Sequence, residues 1–147
     1  MNTNIITTEP HNRKKILSIL WIFVTANYIF CDVVTLMNPE DLRNILSGKM
    51  GEIIMNEQFL LGAAIMMEIP MAMIVLSRLL HYKFNRWANI ISGFLMTLVQ
   101  VSSLFVGTET TLHYRFFSLI EIGCTVFIVW YAWTWNKLSE GKKLQAN

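Results

Sequence analysis

Apolar residues gather along the chain into four long runs, residues 16–37, 59–80, 87–106 and 116–135, each of 20 to 22 residues and separated by short polar stretches. At about 1.5 Å per residue such a run covers the roughly 30 Å hydrocarbon layer of a bilayer. A membrane strand barrel would need shorter segments of alternating polarity, so the runs predict helices. The fold class expected is therefore all-α, an integral membrane bundle of four spans. Residues 81–86 predict a tight antiparallel turn between the second and third spans, and residues 107–115 a second short connection.

The 38–58 segment carries its own helix signal. Asn38 can cap, Pro39 suits the first helical position, Glu40 and Asp41 complement the dipole, and Ser47-Gly48 offers a stop. Leu42, Ile45 and Leu46 would share one face, which predicts a short helix lying flat on the membrane surface. Residues 1–15 and 136–147 are read as polar terminal segments flanking one domain at 16–135. Arg13, Lys14 and Lys15 resemble the start of a signal peptide, but the apolar run is too long and no small-residue cleavage site follows.

Basic residues resist translocation, so their distribution predicts orientation. Nine lie on one side: Arg13, Lys14, Lys15, Arg78, Lys83, Arg86, Lys137, Lys142 and Lys143. Three lie on the other: Arg43, Lys49 and Arg115. Both termini are therefore expected in the cytoplasm. Trp130, Tyr131, Trp133 and Trp135 read as an aromatic anchor at that inner boundary.

Composition agrees with the pattern, since 54% of the 147 residues are hydrophobic and only 15% charged, against about 25% charged in soluble domains. A net charge of +2 is too small to suggest nucleic acid as a partner. Cys31 and Cys124 sit in separate apolar runs without a C-x-x-C, so neither a disulfide framework nor a zinc site is signalled. Nothing in the chain implies a cofactor.

Within this apolar frame Asp32, Glu68 and Glu121 stand out, because a charge at the centre of a span costs roughly 2.5–3.5 kcal/mol on insertion scales. By rise they lie about 8, 13 and 8 Å below the outer boundary, with Gln100 at about 9 Å. Thr25, Tyr28, Asp32 and Thr35 form a stripe at helical spacing, as do Asn89, Ser92, Met96, Gln100 and Ser103, and Ser118, Glu121 and Thr125. Ala64, Glu68 and Ala72 form a fourth stripe, and Pro70 leaves the Met66 carbonyl without its helical donor. These stripes are expected to face one another around a polar cavity that holds a proton or a small cation, with Glu68 foremost, Asp32 and Glu121 beside it, and Gln100, Tyr28 and Asn27 as neutral partners. Interhelical hydrogen bonding alone is the competing account. His113 reads as interfacial, with no metal ligand set around it.

The stretches Leu20-Trp21-Ile22-Phe23-Val24, Asn27-Tyr28, Asp32, Gly62-Ala63, Met67-Glu68-Ile69-Pro70, Leu76-Ser77-Arg78, Asn85-Arg86-Trp87-Ala88-Asn89-Ile90, Glu121-Ile122 and Trp130-Tyr131-Ala132-Trp133 resemble a family of small bacterial four-helix membrane proteins catalogued only as a domain of unknown function. That resemblance implies a multi-pass protein of the bacterial inner (plasma) membrane and carries no activity. More distantly, the acid in the second helix is similar to the DoxX-like group, which implies a redox or quinone-associated alternative. The residues themselves favour a small transporter or proton- or cation-linked permease working as a homodimer, over a redox partner using Cys31 and Cys124 or an accessory subunit without chemistry of its own.

Overall fold

The computed structural model describes residues 9–50, 53–105 and 111–135. They form α1 (Glu9–Met37), α2 (Pro39–Leu46), a minimal antiparallel pairing of β1 (Lys49–Met50) with β2 (Ile53–Ile54), α3 (Glu57–Leu79), α4 (Tyr82–Ser103) and α5 (Leu112–Trp133). Three segments are long and apolar enough to cross a membrane: Asn12–Met37 within α1, Glu57–Leu79 and Leu112–Trp133. The fourth long helix, α4, is not among them, because Asn85, Asn89, Ser92, Thr97 and Gln100 interrupt its apolar run. Three of the four expected spans thus have a helix long and apolar enough to cross.

The long helices also begin before the apolar runs. α1 begins at Glu9, with Pro10 in its first turn, where a missing N–H costs no helical bond. The expected six-residue turn is only Leu80 and His81, since the Asn85 N–H bonds the His81 carbonyl at 2.8 Å and Tyr82 to Arg86 are already helical. α5 takes in Leu112 to Arg115 as its first turn. Residues 107–110 of the expected 107–115 connection lie outside the described residues, as do Val106 of the third run and Lys137, Lys142 and Lys143 of the basic count. α2 ends as its sequence anticipates: the Asn38 side chain accepts from the Glu40 N–H, Pro39 opens the helix, and Gly48 follows its end at φ 75°, a conformation that favours glycine.

The four long helices close a ring in the order α1, α3, α4, α5, with α3 against α4 the thinnest contact. At the end where α1 and α4 start, the base, Arg13 donates to the Tyr131 carbonyl at 3.4 Å and the Tyr82 hydroxyl to the Trp135 carbonyl at 2.6 Å. At the top, Thr35 lies 3.4 Å from the His113 ring nitrogen and the Tyr114 hydroxyl donates to Ser103 at 2.7 Å. Leu17, Trp21, Val24, Met73, Met96 and Ile128 fill the middle. α4 packs tightly on α5 at Gly93, where a Cβ would come 2.8 Å from Val129 Cγ2 and 3.3 Å from the Thr125 carbonyl. Trp135 belongs to this core rather than to an aromatic anchor, being 2% exposed and edge-on to Tyr82, whereas Trp130 and Trp133 are exposed.

Polarity is distributed the opposite way from a water-soluble protein. Buried positions include Ser77, Asn85, Asn89, Ser118, Glu121 and Thr125, while Phe23, Phe30, Leu61, Ile91, Phe94 and Leu119 are exposed. The interior polar groups near the base are joined in one network. Asn89 Oδ1 accepts from Trp21 Nε1 at 2.7 Å and from Ser77 Oγ at 3.2 Å, and its Nδ2 reaches the Asn85 carbonyl and Oδ1 at 2.8 and 2.6 Å. Asn85 Nδ2 in turn donates to the Ser77 carbonyl at 2.6 Å. One residue therefore ties α1, α3 and α4 together through bonds made entirely inside the ring.

Candidate functional site

Ser118, Glu121 and Thr125 recur at steps of three and four on α5, which places them on one helical face, and all three are buried against α1 and α4. Two of them are satisfied. Ser118 Oγ accepts from Gln100 Nε2 at 2.9 Å, and Thr125 accepts from the Thr97 hydroxyl at 2.8 Å while donating to the Glu121 carbonyl at 2.9 Å. The Glu121 carboxyl differs. It is 1% exposed, and neither of its oxygens has a hydrogen-bond partner. From α1 comes Tyr28, 5% exposed, whose hydroxyl is likewise unpartnered. Buried polar groups are nearly always paired, and apart from Arg86 Nε at the base, the Glu121 oxygens and the Tyr28 hydroxyl are the buried side-chain atoms without a partner among the described residues.

The charge of Asp32 is near enough to interact with that of Glu121, and Cys31 and Tyr114 fall within the same electrostatic neighbourhood. Asp32 itself is exposed on the flank of α1. Of these two acids Glu121 is buried and Asp32 is exposed. Cys124, one turn below Glu121, is half-buried with its thiol 3.8 Å from the Leu20 carbonyl, and both cysteines are free.

Of the three acids expected to converge, Glu121 alone is buried. Glu68 is exposed, because the buried face of α3 is Pro70, Met73 and Ser77, and the Ala64, Glu68, Ala72 stripe turns away from it. Asn27 bonds the Phe23 carbonyl of its own helix at 2.9 Å on the exposed side. Gln100 is buried but engaged with Ser118. The arrangement also adds Tyr114, which the hydropathy pattern assigns to a connection. Its only signal in the sequence is a position two residues before the apolar run.

An open depression of about 390 Å³ lies at the base, not beside Glu121, and is lined by Tyr82, Lys83, Phe84, Arg86 and Trp87. Among the described residues no group of three His, Cys, Asp or Glu side chains gathers to hold a metal ion. What the Glu121 level can do chemically is accept one proton on a carboxylate, or one hydrogen-bond donor on the same oxygens. No curated protein and no solved structure matches the chain. A family model described as a family of unknown function (DUF6326) matches residues 5–141, nearly its whole length, and the chain belongs to that family.

Proposed function

We propose that the protein is a multi-pass membrane protein of four spans that takes up and releases a proton at Glu121, as a small proton-linked permease would. The observation that carries this reading is the Glu121 carboxyl, buried with both oxygens unpartnered beside the unpartnered Tyr28 hydroxyl. A carboxyl kept only as structural glue would be bonded, as Asn89 and Gln100 are. Asp32, exposed yet within electrostatic reach, supplies the step between Glu121 and the surface. A proton suits the site better than a metal ion, since the carboxylate needs no further ligands to bind it. A DoxX-like redox role would draw on Cys31 and Cys124, but they are free thiols rather than a pair.

The reading of α4 as a fourth span is supported by which of its sides is polar. Its hydrophilic residues Asn85, Asn89 and Gln100 are buried, while Phe84, Trp87, Ile91, Phe94 and Leu98 are exposed, so lipid meets an apolar helix whatever its average composition. The basic base carries Arg13, Lys14, Lys15, Arg78, Lys83 and Arg86, which favours a cytoplasmic location for both termini in the plasma membrane. A reporter fused after Asn147 is expected to signal from the cytoplasm, and a signal from the far side would invert the assignment.

Glu121→Gln tests the site because it keeps shape and hydrogen bonding while removing the titrating proton. In vesicles carrying an internal pH-sensitive dye and an imposed proton gradient, the parent is expected to pass protons and the variant to fall at least tenfold, to the rate of empty vesicles. Equal rates in parent and variant would show that Glu121 does not carry the proton.

A further inference from the structure

Only 11% of the apolar window of α3 is buried, against 39% for α1 and 33% for α5. A Cβ added at Gly62, on the same helix, would touch nothing within 4 Å. The exposed side of α3 is not uniform. Leu61, Ala64, Glu68, Met71 and Val75 are all exposed and follow one another at steps of three, four, three and four, the spacing that keeps a seam in register between two helices wound about each other. Glu68 is the middle member. Facing lipid, its carboxyl would lie within the hydrocarbon layer with nothing to bond, at a cost that insertion scales place in the range of kilocalories.

We infer that α3 pairs with α3 of a second copy of this chain along that seam, with Glu68 meeting the same residue across a two-fold axis. Both copies cross the bilayer in one direction, so the pair is parallel, and a parallel two-fold seam sets each residue against its own counterpart. A carboxyl suits that place. In its protonated form it has one donor and one acceptor, so two of them close a cyclic pair of hydrogen bonds with nothing left over. Ala64, one turn away, lets the backbones approach closely enough for the pair to form. A single polar residue at such a seam also fixes register and partner number. This inference rests on α3 crossing the membrane, and it is independent of the proton proposed at Glu121.

Single-molecule photobleaching of full-length chain bearing a C-terminal fluorescent protein, in dilute vesicles, reads the copy number directly. Two bleaching steps are expected for the parent and for Glu68→Gln, since an amide pair also offers a donor and an acceptor on each side. Glu68→Leu and Ala64→Phe are each expected to weaken the pair by about tenfold or more, since two hydrogen bonds of the size seen between membrane helices, or the close approach, are lost. Neither residue touches the interior of the ring, so helix content is expected to stay unchanged. Single-step bleaching of the parent, or two-step bleaching of either weakened variant at the parent's dilution, would overturn the pairing. Glu121→Gln is expected to remain paired, which separates this result from that of the proton measurement.

Discussion

Replacing Asn89 by leucine is expected to lower stability by about 2–4 kcal/mol, the largest loss for any single exchange of similar volume in the ring. The residue is fully buried and makes four hydrogen bonds, to Trp21, Ser77 and twice to Asn85. Leucine leaves the Trp21 indole N–H and the Ser77 hydroxyl without acceptors, in a medium where water cannot replace them. Bonds between membrane helices average only about 0.6 kcal/mol each, so the intact bonds contribute less than their orphaned partners cost. Unfolding in a detergent series, followed through tryptophan fluorescence, measures the change. A loss below about 0.5 kcal/mol, the size of ordinary surface substitutions, would show that the network is idle. A cycle with Trp21→Phe should return a positive coupling between the two positions.

Replacing Glu121 by methionine is expected to do the reverse and raise stability by about 1–3 kcal/mol, because it removes a buried polar group that has no partner. Methionine matches the length of glutamate and adapts to an irregular cavity. The same assay reads both variants, and the opposite signs separate two kinds of buried polarity that burial alone cannot distinguish. If Glu121→Met loses as much stability as Asn89→Leu, the carboxyl is bound in place and the proposed proton role fails. A gain in stability together with lost proton passage is the pattern of a residue kept for function at the expense of the fold.

Much of this architecture is legible in the amino-acid sequence. Runs of 20 or more apolar residues set the existence of α1, α3 and α5, and the cap at Asn38, the proline after it and Gly48 set the short α2. The inward stripes of α4 and α5 are equally readable, since a polar residue every third or fourth position has few places to go in an apolar helix. α3 is the exception. A lone acid flanked by alanines has the same spacing whether it faces the centre of its own ring or away from it, and only the position of Pro70, Met73 and Ser77 against the other helices decides between them. The start of α4 is hidden for a different reason. Tyr82 and Arg86 look like loop residues by polarity, yet they reach the carbonyls of Trp135 and Trp133, across the base. The unpartnered state of Glu121 has no sequence signal at all, because it depends on what is missing around the side chain.

The inward polarity of α4 makes it depend on its three neighbours. Taken alone, this helix is too hydrophilic to enter a bilayer readily, with Asn85, Asn89, Thr97 and Gln100 all seeking partners. Those partners come from α1 at Trp21, from α3 at Ser77 and from α5 at Ser118 and Thr125. Only Leu80 and His81 separate α3 from α4, so these two form a hairpin whose upper half finds its partners on α5. α5 is thus the element that closes the interior, since without it Gln100 and Thr97 would lose Ser118 and Thr125.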